Sequence, residues 1–499
     1  MKSIYLTATV LLAGYLLPYN GQAQTAGIKS RAIYILQSKA NGKLLNVHNS
    51  SIENKARVNC WTDTKSDSQR WRLNHIGQGI YTITNVESGK LLHSATDAAD
   101  SVNVDQITPT GANDVQWNIV KKEDGTYQLK PLSEITSLLS VYGNASADGA
   151  KVNLNNSPVA DAASWVFKQD KVQDKPLTTK VAGKVFDAWY TQYKIETGRG
   201  FWDKAEMMEI VLDAYEVTRD KKYLDKFNAM YTNFITRNKE DWMYNNFNDD
   251  IAWAVLFSVR GYLFTGNKAY LDKAKDQYDK MYARALTNKY GGGLNWFETK
   301  TSKNACIQGP AMVAACYLAQ ATGDKTYYDK AMGLYKWSKV YLFDPATGKV
   351  NDNIDLDKQT GEVKTGTWSS TYNQGTYLGA AVMLYKYTKD EQYLADAKKI
   401  ALYARDAMFN GKTMNNEDGG NDLPGFKGIF ARYARKYTLE TKNRDLVEWL
   451  QLNAKVAYNN RNSQDLIHTK WATKTPELKP RSAFGGSTAV SLLMNTLSL

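Results

Sequence analysis

The sequence predicts two architectures in one chain, an all-β domain followed by an all-α domain. Three observations carry this reading. Leu-Leu pairs recur every 47 residues across positions 31–170, an apolar period of 3.6 residues runs from about residue 178 to the end, and a polar stretch at 171–177 separates the two regimes. A chain of 499 residues is also too long for one ordinary domain. With 43% hydrophobic and 23% charged residues the composition is globular and excludes a largely disordered chain.

Positions 1–23 read as an export signal: Lys2 is the positive start, Ile4 to Leu17 the apolar stretch, and Gly21-Gln22-Ala23 a small-residue cleavage site. No Cys follows that site, so no lipid anchor is expected, and the mature protein is expected to be periplasmic or secreted. No later apolar run is long enough to span a membrane. The formal charge is +12, but no run of five Lys or Arg exists, so a nucleic-acid partner is not expected. Cys60, Cys306 and Cys316 are too few for a disulfide framework, and the four His lack ligand spacing, so neither metal nor organic cofactor is expected.

Within 31–170, Gly42-Lys43-Leu44-Leu45 recurs as Gly89-Lys90-Leu91-Leu92 and as Thr136-Ser137-Leu138-Leu139. Val58-Asn59, Val102-Asn103 and Val152-Asn153 follow in register, and Trp71, Trp117 and Trp165 close the repeats. Short alternating segments such as Ile80-Tyr81-Thr82-Ile83-Thr84 make the repeats strands, and three all-β repeats of this size sharing one core form a β-trefoil. The pattern resembles the ricin-type β-trefoil lectins, whose repeats end in Gln-x-Trp; only Gln69-Arg70-Trp71 keeps that signature here. The resemblance implies a sugar site near Asn46, Asn59, Trp61 and Gln69, while the Asp that usually opens such a repeat is absent. A spacer domain that holds no sugar is the alternative.

Twelve helical segments are predicted in 178–499: 180–194, 203–217, 221–237, 248–264, 268–286, 304–321, 325–341, 373–387, 391–408, 425–437, 443–459 and 486–497. Five tight turns of one design, beginning at Thr218, Thr265, Thr322, Thr388 and Thr441, make antiparallel pairs, with an Asp or Asn capping the second helix. Repeated pairs suggest an (α/α)6 toroid, with a solenoid as the competing layout. The long connections 287–303, 342–372, 409–424 and 460–485 then share one rim, at the N-terminal ends of the inner helices, where function is expected.

At that rim Asp249-Asp250 opens the fourth helix, flanked by Tyr244, Asn245, Asn246, Phe247 and Trp253. Asp is favoured in any first helical turn, so the pair alone can be a cap. Paired carboxyl groups with opposed protonation states are also what glycoside hydrolysis needs. Tyr290-Gly291-Gly292-Gly293 leading to Trp296, Lys303-Asn304-Ala305, Gly348-x-Val350-x-Asp352, Thr371-Tyr372-Asn373-Gln374 and Phe426-Lys427-Gly428 accompany the pair. In these motifs residues 178–499 resemble glycoside hydrolase family 76, bacterial endo-α-1,6-mannanases on an (α/α)6 barrel. The resemblance implies Asp249 as nucleophile and Asp250 as general acid/base of a retaining mechanism, with Trp253, Trp296, Asn304, Tyr372, Asn373, Gln374 and Lys427 at the substrate. Asn295 departs from the aromatic expected there, and Asp352 and Glu298 are the rival carboxylates if the pair only caps. The expected protein is a monomeric exported enzyme cutting α-mannan internally; a transglycosylase with the same site and a non-catalytic glycan binder are the alternatives.

Overall fold

The computed structural model describes residues 27–499 apart from 31, 52, 96–103, 108–112, 160, 171–176, 358, 411–412, 479–481 and 498. The expected export signal, the Val102-Asn103 element and nearly all of the linker lie outside the described residues. The chain divides into two compact units, Met1–Lys171 and Val172–Leu499.

The first unit is a β-trefoil. Strands Ile33–Ser38, Trp71–Gly77, Ile80–Asn85, Gln116–Lys121, Tyr127–Pro131 and Trp165–Gln169 pair antiparallel in a closed ring of six. Three hairpins, Leu44–Val47 with Ala56–Trp61, Leu91–Ser94 with Val104–Ile107, and Leu138–Val141 with Ala150–Asn155, cap one end. The 47-residue repeat is visible in its chemistry. The buried indoles of Trp71, Trp117 and Trp165 donate to the carbonyls of Leu45, Leu92 and Leu139, each at 2.9 Å. Each Trp thus fills the shared core and spends its one polar atom on the hairpin of its own repeat.

The second unit holds α1 (Thr179–Gln192), α2 (Trp202–Thr218), α3 (Lys221–Asn238), α4 (Asn248–Thr265), α5 (Lys268–Ala285), α6 (Ala305–Thr322), α7 (Thr326–Tyr341), α8 (Thr371–Thr388), α9 (Glu391–Ala407), α10 (Phe426–Thr441), α11 (Val447–Asn459) and α12 (Ala483–Thr496). The even-numbered helices pack each on the next, and α12 packs back on α2, which closes the ring. The odd-numbered helices lie outside it, so the architecture is the (α/α)6 toroid and the solenoid is excluded. Inner helices are buried nearly all round; in α6 every residue from Ala305 to Ala319 is buried.

The tight turns share one mechanism. The hydroxyls of Thr218, Thr265, Thr322, Thr388 and Thr441 donate to the carbonyl four residues back, at 2.6–2.8 Å. Each hydroxyl also accepts the amide two residues on, and the following Asp220, Asn267, Asp324, Asp390 or Asn443 accepts an amide in the next turn. Two helices begin more than one residue earlier than predicted. Ser370 caps α8 by accepting the amide of Asn373, and Ser482 caps α12 through Gly485. Gly485, just outside the predicted segment, is helical, and Pro424 leaves little room there for a side chain.

Candidate active site

The inner helices run in parallel, so their first turns meet at one mouth. Asp249 and Asp250 occupy the first turn of α4, and both keep part of their surface exposed. Trp296 and Cys306 lie beside Asp249, while Asn245 Nδ2 donates to Asp250 Oδ2 at 2.8 Å. Asp249 Oδ1 is buried and has no partner.

Burial and the neighbouring Asp250 carboxyl hold Asp249 well above the ordinary carboxylate range. Burial, with the like charges of Asp422 and Asp203, pushes Asp250 up to about 7. The two titrate as a unit, so near neutrality the pair holds a proton that two isolated aspartates would have lost. Asn245 beside Asp250, and Trp296 and Cys306 beside Asp249, favour the carboxylates, but burial and like charge outweigh them at both positions.

Around the pair, Asn304 precedes α6, and Tyr372 and Asn373 lie in the first turn of α8. Asn373 Nδ2 donates to Asp352 Oδ1 at 3.4 Å, and burial raises the Asp352 carboxyl. The Oδ1 atoms of Asn304 and Asn373 are buried without a partner. Together with Asp249 Oδ1 they form a set of unmet acceptors, which suits a ligand rich in hydroxyl donors. No group of three or more His, Cys, Asp or Glu among the described residues is arranged to hold a metal ion.

Other sequence-chosen residues work away from the opening. Trp253 is 1% exposed and packs against Trp202 and Tyr372, whereas Trp296 is partly exposed beside Phe247. Gln374 is buried, accepting from the amide of Val350 at 2.5 Å and donating to the carbonyls of Gly348 and Ile400. Lys427 is fully buried over the Trp471 ring, with its ammonium on the Thr469 carbonyl. Asn295 faces inward and receives Thr287 Oγ1, and exposed Glu298 stands outside the cluster. In the trefoil, Asn46 Nδ2 donates to Asn59 Oδ1 at 2.8 Å, and Asn59 meets His48 Nδ1. Gln69 accepts Thr64 and donates to the Thr62 carbonyl. Of that set only Trp61 retains open surface, its ring backed by Gly149.

Four participants escaped the sequence reading: Trp202, Asp203, Cys306 and Asp422. Trp202 Nε1 donates to Asp422 Oδ1 at 3.0 Å, and its ring lies edge-on to Phe484, 4.8 Å away. Asp203 opens α2 as Asp249 opens α4, so scanning the first turn of every inner helix finds it.

The profile of Glycosyl hydrolase family 76 matches residues 171–498, and that of the ricin-type beta-trefoil lectin domain-like family matches 24–100 and 67–155. Among solved structures, the α-1,6-mannanase of Salegentibacter sp. HEL1_6 is 30% identical with a TM-score of 0.59, over 64% of this chain and 98% of that one. An inactive variant of that mannanase, with two consecutive aspartates changed to alanine and α-1,6-mannotetrose bound, is 29% identical with a TM-score of 0.60, over the same shares. Mannan endo-1,6-alpha-mannosidase DCW1 of Saccharomyces cerevisiae is 28% identical over 196 residues, 36% of this chain and 43% of the relative. Its Candida albicans namesake is 26% identical over 182 residues, 33% and 40%. The chain spans less than half the length of each of these two curated relatives.

Proposed function

This chain belongs to glycosyl hydrolase family 76, and from that premise we propose that it is an exported endo-acting enzyme that hydrolyses α-1,6-mannosidic linkages with retention. The observation that carries the proposal is the Asp249–Asp250 pair: consecutive carboxyls at the mouth of a closed helical ring, both raised, one with a buried unpartnered oxygen. The inactivated relative supports it, since its substitutions also fall on two consecutive aspartates.

Asp249 attacks the anomeric carbon as the glycosidic C–O bond breaks, and Asp250 gives its proton to the departing oxygen. Asp250, now ionised, takes a proton from water, whose oxygen attacks the same carbon and releases Asp249. Trp296 and Cys306 hold the Asp249 carboxylate in line, and Asn304, Asp352 and Asn373 take the hydroxyls of the sugar being cut. No cofactor enters either step. The trefoil tethers the enzyme to glycan.

The test is digestion of debranched α-1,6-mannan beside other polysaccharides, with product sizes followed over time. Internal cleavage predicts a falling ladder of α-1,6-mannooligosaccharides from this substrate alone. Absence of products, or release of monosaccharide only, would overturn the proposal. Added acceptor sugars decide between water and sugar as the second nucleophile.

A further inference from the structure

Of thirteen tryptophans, Trp368 is the most exposed, at 49%. It lies in the segment between strand Val363–Gly366 and α8, at the same rim as the aspartate pair. Strands Asn353–Leu356 and Val363–Gly366 form a hairpin that pairs through Asn353 with Asn304, the residue before α6. Farther up, Leu356 and Val363 stand opposite each other, 37% and 47% exposed. This short sheet lies within the long connection 342–372, where strands of only four residues with little alternation give no clear sequence signal.

The segment carrying Trp368 is fixed at both ends. The Asp352 amide donates to the Gly366 carbonyl at 3.0 Å, and Asp352 Oδ1 receives Asn373 Nδ2. On the other side Ser370 is buried as the α8 cap, and the Glu417 carboxylate accepts the amide of Thr371 at 2.8 Å as well as its hydroxyl. Trp368 is two residues from each anchor, at most ~7 Å of extended chain. The indole is therefore held close to the wall that presents the unmet acceptors of Asn304 and Asn373, while its face is open to solvent.

We infer that Trp368 is a substrate platform beyond the cleavage subsite, on which a further sugar of the same mannan chain stacks through its C–H face. This rests on the proposed α-1,6-mannanase activity. An α-1,6 linkage carries an extra rotatable bond, so the chain loses more conformational freedom on binding than a linkage made directly to the ring. A preorganised aromatic face beyond the cut offsets that loss and favours internal over terminal cleavage.

The experiment compares wild type, Trp368→Ala and Trp368→Phe on debranched α-1,6-mannan and on the shortest α-1,6-mannooligosaccharide the wild type cleaves. Trp368→Ala is expected to lower kcat/KM roughly tenfold on the polymer, mostly through KM, with a markedly smaller loss on the short substrate. Trp368→Phe restores most of the difference. Binding to the polymer, measured in an Asp249→Asn, Asp250→Asn background, should weaken in parallel. Equal losses on both substrates, or none on either, would overturn the platform. A wild type inactive on α-1,6-mannan would instead overturn the activity on which it rests.

Discussion

Asp249 and Asp250 are neighbours in sequence, yet they ionise in different company, and that difference can be measured. Either Asp→Asn substitution should lower kcat on α-1,6-mannan by roughly 10³-fold or more while affinity for oligosaccharide persists, by titration calorimetry. Activity should fall as pH rises above about 7, because Asp250, raised to about 7, then loses the proton it must donate; the limb should be absent from any activity left in Asp250→Asn. The same raised values also make stability fall as pH rises. A carboxyl whose folded value is raised contributes stability below its unfolded value, and loses it as pH rises through the folded one. The Asp249→Asn, Asp250→Asn chain should therefore melt a few degrees above wild type at pH 8, with the gap closing toward pH 4. A lower melting temperature at pH 8 would mean that the carboxylates are better satisfied than their burial implies. The pair was legible in the sequence because two adjacent Asp at a helix start are conspicuous. The work of Gln374 and Lys427 was not, because a polar residue in a rim motif can face either way. Only the packing of Val350 and Gly348 on one, and Trp471 on the other, decides it.

At the scale of elements, periodicity located all twelve helices, and its two largest early-start errors share a cause, while α11 begins four residues later than expected. α8 and α12 start two and three residues early relative to expectation because a serine caps each from outside the periodic stretch. The turns show a second economy. Gly266 and Gly323 end their helices in the left-handed conformation that glycine adopts freely, but Arg219, Lys389 and Lys442 adopt it too, with φ of 58°, 62° and 56°. The exposed side chains of Lys389 and Lys442 are not needed for the turn, since the preceding threonine and following Asp390 or Asn443 already satisfy the local amides. Lys389→Gly and Lys442→Gly should each raise unfolding stability by about 0.5–1 kcal/mol, read as a shift in denaturant midpoint with unchanged slope. Destabilisation by either would show that the lysine makes contacts worth more than the relieved strain.

On the scale of the whole molecule, ring closure and glycan capture are separate problems. Buried polar groups tie the first inner helix to three others: Arg432 on α10 grips Glu206 and Asp213 of α2, Arg260 on α4 meets Glu209 and Asp213, and Asn495 of α12 also reaches Asp213. Removing either arginine leaves several buried carboxylates short of a counter-charge, so the network fixes which helices meet. The trefoil's contribution is different in kind. Three of its four expected sugar-facing residues, Asn46, Asn59 and Gln69, already bond within the domain, which leaves Trp61 as the open surface. If the trefoil tethers glycan as proposed, the contact is one aromatic face and not a polar cradle, and a single weak contact of that kind acts by effective concentration. On insoluble mannan, where substrate cannot diffuse to the enzyme, Trp61→Ala should reduce retention in a pull-down and slow product release several-fold. On soluble α-1,6-mannotetraose the covalent link adds nothing, because free substrate reaches the toroid unaided, and the two chains should turn over alike. Identical rates on the insoluble substrate would make the trefoil a spacer, and a loss on the tetrasaccharide would place Trp61 in the folding of the enzyme and not in its capture of glycan.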